Sequence, residues 1–246
     1  RLEIEIQWNK KESILMNWLT IIKNIMAKNK DSNSENNLPK ELIDRYKNWK
    51  SNTFDKNKTL YEDLSLNGQK PSSMIISCCD SRVNPTSIFT AKAGDFFIHR
   101  NIANLIPPYS PDSDNHGTSA AVEFAVCVLK VSHIIILGHS SCGGIKSGYY
   151  NCKGDELNHK LPSINKWLKV LEPAYNELEQ QSDDQLMIKS LEKVSIIKSV
   201  NNLMQFPCVE KSLESKDISI HGLWNDIGKG ELEILNLNTL TFEKLT

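Results

Sequence analysis

The sequence predicts an α/β fold: a mostly parallel central β-sheet flanked by helices, with an N-terminal helical arm and a C-terminal β-hairpin extending the sheet. Three observations carry this. Short continuous apolar runs alternate with longer segments of helical periodicity, the pattern of strands buried on both faces. Two of the runs end directly on reactive side chains, at the carboxyl ends of strands where open α/β sheets place their chemistry. Finally, two strand-like segments near the C-terminus are separated by a turn of Asp and Gly.

Each element has its own justification. The stretch Ile14 to Met26 is apolar but interrupted by Asn17 and Lys23, and residues 27–38 (AKNKDSNSENNL) have the polar, unpatterned composition of a linker. We therefore expect residues 1–38 to be an appendage and 39–246 one domain. The chain starts at Arg1, and Met16 is a candidate native start, which would make the first fifteen residues foreign or a remnant. Residues 39–64 read as helix, with Leu42, Ile43, Tyr46 and Trp49 at helical spacing. SMIISC (73–78), FFIHR (96–100) and HIIILG (133–138) read as buried strands, and 117–130 as the helix between the last two. Residues 162–178, opened by Pro162, and 185–205 are expected to be helices. ISIHGLWND and ELEILNL form the hairpin around Asp226 to Gly230.

Composition narrows the function. The 246 residues carry 29 Lys+Arg against 30 Asp+Glu, a net charge of -1, which lacks the broad basic footprint of a dedicated nucleic-acid binder. No apolar run approaches the roughly 20 residues that span a bilayer. Six cysteines, in a chain where we expect no secretory signal, fit a reducing compartment, where thiols serve metals or catalysis. The cytoplasm is the default; an organelle is the alternative if the N-terminus is a transit peptide, a reading that Glu3, Glu5 and Glu12 oppose.

Two segments concentrate the chemistry: Cys78-Cys79-Asp80-Ser81-Arg82 and His139-Ser140-Ser141-Cys142-Gly143-Gly144, each directly after a predicted strand. Two thiolates and an imidazole make a borderline-soft donor set suited to zinc, with a fourth position left for water. Singly, a strand-end Cys is more often a small buried hydrophobe and a His near a helix start a satisfied cap. Their pairing, flanked by Asp-Ser-Arg and Gly-Gly, outweighs those readings. A phosphate loop over Gly138 to Gly148 is rejected, because Gly144 stands where Lys is required. Cys127 reads as core, and His99, His116, His133, His159 and His221 as surface or structural rather than proton shuttles.

With these motifs the sequence resembles the β-class carbonic anhydrases. Cys78-x-Asp80-Ser81-Arg82 and His139-x-x-Cys142-Gly143 match that family's paired motifs, and residues 94–109 and 117–148 are similar to it throughout. A weaker likeness runs from about Pro39 to Leu245. The resemblance implies one zinc per chain, held by Cys78, His139 and Cys142, and a catalytic dyad of Asp80 and Arg82. It places Gln69, Phe97, Phe124 and Gly143 at the substrate pocket, Gln69 reaching it from the partner subunit. Phe124 falls where plant members carry Tyr, so one pocket hydroxyl is absent. Cys79 replaces the commoner Ser and puts a further thiol beside the metal.

The implied reaction is reversible hydration of carbon dioxide to bicarbonate and a proton, by attack of hydroxide made on zinc. In the unrelated three-histidine carbonic anhydrases, zinc lowers the pKa of its water to about 7. Two thiolates offset more of the ion's charge, so activity is expected to rise into the alkaline range. A bidentate Arg82 would keep Asp80 ionised and off the metal; were the pair to break, Asp80 could become a fourth ligand. The plant-like flanks and Gln69 favour the open form. Family members are homodimers or dimers of dimers with sites at the subunit interface. Two competing functions share the scaffold: hydrolysis of carbon disulfide or carbonyl sulfide, and a non-enzymatic zinc-stabilised module, which would need a fourth protein ligand.

Overall fold

The computed structural model describes residues 16, 19–21, 23, 38–111, 116–154, 161–179 and 182–245. Of the expected N-terminal arm, Met16, Leu19, Thr20, Ile21 and Lys23 are helical, and the rest of it, with linker residues 27–37, lies outside the described residues. The chain divides into two compact units, Arg1–Tyr61 and Glu62–Thr246.

In the first unit, α1 (Lys40–Trp49) begins behind Pro39 and carries an i,i+4 pair between Glu41 and Arg45. The single helix expected over 39–64 is interrupted: a π turn (Lys50–Phe54) and a 3-10 turn (Asp55–Asn57) precede α2 (Lys58–Asn67). The cause is local. Ser51 Oγ donates to the Lys47 carbonyl at 3.1 Å and Asn57 Nδ2 to that of Thr53 at 2.8 Å, side chains that compete with the helical ladder. Tyr46, Trp49, Phe54 and Tyr61 gather their rings beside the break.

The second unit is built on a six-stranded sheet, among the described residues, in the order β2-β1-β3-β4-β5-β6. The strands are β1 (Ser73–Cys78), β2 (Phe96–Asn101), β3 (His133–His139), β4 (Ser219–Asp226), β5 (Glu231–Asn236) and β6 (Thr241–Lys244). The first four pair in parallel and the last two antiparallel, so the α/β class and the C-terminal hairpin hold. The hairpin closes where expected, with Gly230 N donating to the Asp226 carbonyl at 2.8 Å. Every residue of β1 is buried, which is what a continuous apolar run between two helical layers requires.

Among the described residues, seven helices lie along the chain between β1 and β4: α3 (Pro85–Ile88), α4 (His116–Glu123), α5 (Gly143–Cys152), α6 (Pro162–Leu168), α7 (Glu172–Asn176), α8 (Asp184–Met204) and α9 (Pro207–Glu214). Helix α8 is capped by Asp183, whose side chain accepts from Gln185 N at 2.8 Å, a contact worth about 1 kcal/mol. Its buried stripe includes Ile188, Leu191, Ser195, Ile196 and Ser199, and the small serines let it lie close to the strands. Ile196 presses on Gly138 of β3, where an added Cβ would meet its Cδ1 at 2.6 Å.

Two expected helices are remodelled. Helix α4 widens into a π turn at Phe124–Leu129, ending on Lys130 with φ 53°, and Cys127 is exposed there rather than in the core. Residues 162–178 split into α6 and α7 across a 3-10 turn, because Pro173 has no amide to continue the ladder.

Candidate metal centre

The parallel pairing of β1 with β3 brings Ser77 level with Leu137, so Cys78 and His139 leave the sheet side by side at the carboxyl edge. Three residues on, Cys142 takes the extended N-cap position of α5 (φ −70°, ψ 117°) and turns back toward them. The ligand atoms of Cys78, His139 and Cys142 all lie within 4.8 Å of one another, the two sulfurs at 3.9 Å. All three residues are buried.

The donor chemistry fits a zinc ion. His139 Nδ1 sits 2.9 Å from the Ser140 carbonyl, which can only accept, so Nδ1 carries the proton. Nε2 is left buried with no partner at hydrogen-bond geometry, an orphan that such a site must explain. Cys142 and the neighbouring groups draw the Cys78 thiol down to about 4, while its closeness to Cys78 pushes Cys142 up. Burial opposes charge on His139, but contact with Cys78 outweighs it and raises the imidazole. The cluster thus holds protons that a divalent cation would displace. No fourth His, Cys, Asp or Glu joins the group among the described residues.

Asp80 and Arg82 stand beside it. Arg82 Nε and Nη2 donate to Asp80 Oδ1 and Oδ2 at 2.9 and 2.7 Å, and the Arg82 amide adds a third bond at 3.0 Å. This grip holds the Asp80 carboxyl well below the usual carboxylate range. Asp80 Oδ2 is 4.0 Å from His139 Nε2, facing the cluster without joining it. Arg82 Nη2 also reaches the Ser141 carbonyl at 3.0 Å, tying the two motifs together.

The residues expected at the substrate pocket are less concentrated. Phe97 and Phe124 meet, their ring centroids 5.8 Å apart, and Phe124 is exposed. Gln69 is exposed in the loop before β1, and no hydrogen bond joins it to the cluster. Gly143 opens α5 into free space, whereas an added Cβ on its neighbour Gly144 would meet Ile102 Cγ2 at 2.7 Å. A cavity of about 740 Å³ touches Cys142, lined also by Arg82, Ser141, Lys146, Glu192 and Trp224 but not by Gln69, Phe97 or Phe124. Cys79 is exposed. His99 bonds Thr118 Oγ1 at 3.0 Å, and His133 and His221 pair at 3.3 Å near the amino ends of their strands, at the far end of the sheet. His159 and the His116 side chain lie outside the described residues.

Two supporting residues escape the motif reading. Glu192, buried on α8, accepts from the Cys142 amide at 3.1 Å and from Trp224 Nε1 at 3.3 Å, and burial raises its pKa. Arg100 donates to the carbonyls of Cys78, Asp80 and Val83 at 2.9, 2.8 and 2.7 Å, pinning the first motif. The signal for Glu192 is its place within the buried stripe of a helix.

Fold and cluster together define an α/β protein with a three-ligand Cys2His metal centre and a guanidinium-held carboxylate next to it. A sequence model described as carbonic anhydrase matches residues 73–232. β-Carbonic anhydrase 3 of Arabidopsis thaliana is 34% identical over 197 residues, 78% of this chain and 75% of that protein. A carbonic anhydrase of Synechocystis sp. is 34% identical over 198 residues, 78% of this chain and 69% of its own. Among solved structures, the β-carbonic anhydrase CcaA superposes with a TM-score of 0.75 at 31% identity, covering 84% of this chain and 92% of that one. Tetrameric β-carbonic anhydrases of Sordaria macrospora give 0.68 at 30% identity, covering 80% and 95%. The chain belongs to the carbonic anhydrase family, in its β class.

Proposed function

We infer that Asp80 and Arg82 are the working pair in the reaction this carbonic anhydrase catalyses, the reversible hydration of carbon dioxide to bicarbonate and a proton at a zinc centre. The observation that carries the reading is the doubly bonded Asp80, kept ionised with Oδ2 facing the Cys78–His139–Cys142 cluster. Zinc, when bound by these three residues, supplies Lewis acidity that makes water a nucleophile near neutral pH, tempered by two thiolate charges. Asp80, an acceptor only, takes a hydrogen bond from the nucleophilic water at Oδ2 and so aims a lone pair at the carbon. Arg82 fixes that carboxylate and keeps it from turning onto the cluster. The rate is expected to rise into the alkaline range.

The pocket residues Gln69, Phe97, Phe124 and Gly143 are proposed to bound the substrate, with Gln69 delivered by a second copy. Exposed Phe124, Ile102 and Val128, together with the free edge of β2, support a homodimer or a dimer of dimers, as does the tetrameric assembly of the Sordaria relatives. Residues 39–246 are taken as the catalytic domain and 1–38 as an appendage. No helix among the described residues is long and apolar enough to cross a membrane. A cytoplasmic setting fits the six free thiols. The carbon disulfide and structural-zinc readings lose ground to relatives named as carbonic anhydrases and to a cluster of three ligands rather than four among the described residues.

The test is stopped-flow carbon dioxide hydration from about pH 6.5 to about 9 on protein of known zinc content. Cys78→Ser should lose zinc and activity together. Asp80→Asn should keep zinc and fold while losing about tenfold or more in turnover. A fully active Asp80→Asn would sink the assigned role of Asp80, and zinc-loaded protein with no hydration activity would send the search to sulfur substrates.

A further inference from the structure

Cys127 and Cys208 are used by nothing described so far. They come from different parts of the chain: Cys127 from the π turn that follows α4, Cys208 from the first turn of α9, behind Pro207. In the π turn Cys127 is exposed rather than packed in the core, and it lines the same two cavities as Cys208, which places the two side chains beside each other. Both are free thiols, Cys127 exposed and Cys208 half-buried. Cavities open on both sides of the pair, one of about 460 Å³ beside Tyr109 and Phe124 and one of about 660 Å³ beside Lys130 and Lys211, and both thiols line each of them. A small polar oxidant thus has an approach to the two cysteines from the side of Lys130 and Lys211, clear of the Phe124 and Val128 face proposed to meet a second copy. The zinc-type cluster is made of other cysteines.

We propose that Cys127 and Cys208 form a modification site, a dithiol that a hydroperoxide oxidises to a disulfide joining the π turn to α9. The exposed Cys127 meets the oxidant. Its sulfur attacks a peroxide oxygen, the O–O bond breaks, and the departing hydroxide takes the thiol proton as water, leaving a sulfenic acid. The Cys208 sulfur then attacks that sulfenic sulfur; the S–O bond breaks, the S–S bond forms, and the Cys208 proton leaves with the hydroxide as a second water. Two thiols lose two electrons, the peroxide gains them, and a small dithiol reverses the change. Burial, with Cys127 beside it, pushes the Cys208 thiol up to about 11, which suits the residue that waits rather than the one that meets the oxidant. The bond would fix the turn that begins at Phe124, whose ring rests on Phe97. Oxidation at this position would therefore reach the proposed pocket without touching the metal ligands.

The experiment treats the zinc-loaded full chain with hydrogen peroxide, blocks remaining thiols by alkylation and digests with trypsin. Cleavage after Arg100, Lys130, Lys198 and Lys211 yields peptides 101–130 and 199–211, each with a single cysteine. The expected product is these two peptides linked, released by dithiothreitol, with zinc content unchanged. Cys127→Ser and Cys208→Ser should each abolish the link, and Cys208→Ser should leave a Cys127 sulfenic acid that dimedone captures. Both thiols alkylated after peroxide, Cys127 carried to the sulfinic acid without a link, or Cys208 linked instead to Cys79 or Cys152 would each overturn the proposal.

Discussion

The Glu192 carboxylate accepts the amide hydrogen of Cys142 at 3.1 Å, so a buried acid on α8 sets the backbone from which a metal ligand projects. Its second oxygen holds Trp224 of β4 at 3.3 Å. Both bonds require an acceptor on each oxygen. Glutamine supplies one acceptor and one NH2, so Glu192→Gln sets donor against donor at Trp224 or Cys142, at a cost of about 1–3 kcal/mol. Residues that orient ligands typically change metal affinity by about 10–100-fold, and we expect a loss in that range for this variant. Chelator competition measures it directly; an affinity equal to wild type would remove Glu192 from the metal centre.

Gly144 and Gly143 should part company. A methyl on Gly144 would meet Ile102 Cγ2 at 2.7 Å and Ala103 Cβ at 3.0 Å. Ala103 has φ 65° and its amide points to Cys78 Sγ at 3.4 Å, so the strain falls on the first motif. Gly144→Ala is expected to cost about 1–3 kcal/mol in denaturant unfolding, the usual range for overpacking. Gly143→Ala, with open space around its Cβ, should unfold like wild type. Equal stabilities for the two variants would contradict this packing.

Strands were legible because burial on both faces leaves an unbroken apolar run, and the two motifs because they end such runs: β1 and β3 carry Cys78 and His139 to one edge. What was missed has physical reasons. Strand β6 has four residues with a single apolar side chain turned inward, Phe242, too short for a period to show. The π turn at Phe124 was hidden because helical periodicity does not distinguish 3.6 residues per turn from a local widening, and Cys127 was therefore misplaced. Glu192 and Arg100 were passed over because a charged residue in a strand or helix reads as solvated unless its neighbours on the same face are weighed. Gln69 and Phe124 are visible only as positions, since one copy of the chain does not bring them to the cluster.

Tyr149 supplies a pH test away from the metal. Burial first, then the hydrogen bond to Asp184 at 2.7 Å, raises its phenol from 10.0 to about 12. Folded Tyr149 keeps its proton where the unfolded chain has released it. Its contribution to stability is therefore whole below about pH 10 and is lost as the pH rises through about 12. The stability gap between wild type and Tyr149→Phe should narrow over that interval and stay constant from pH 7 to about 9. Lys153, bonded to the same Asp184 and also raised in pKa, acts in the same direction and is retained in both proteins. A gap that widens above pH 10 would show that the phenol ionises more readily in the folded protein.

The assignment of Gln69 to a partner's pocket can be tested by complementation. Cys78→Ser removes a zinc ligand but leaves Gln69 intact; Gln69→Ala removes the pocket amide but leaves the cluster intact. Each homodimer should be poorly active. In a mixed dimer where Gln69 acts across the interface, the chain bearing the intact cluster receives Gln69 from the Cys78→Ser chain. One of the two sites is then complete, and about half the wild-type activity returns. If Gln69 acts within its own chain, neither site is whole and mixing restores nothing. Co-expression with two affinity tags isolates the mixed species, and zinc content of about one ion per dimer verifies its composition. Restored activity would also show that two chains are in contact in the working enzyme, because a transferred Gln69 requires it. Without restoration, the isolated chain would have to close the pocket itself, and the exposed position of Gln69 in the loop before β1 would need to move to do so.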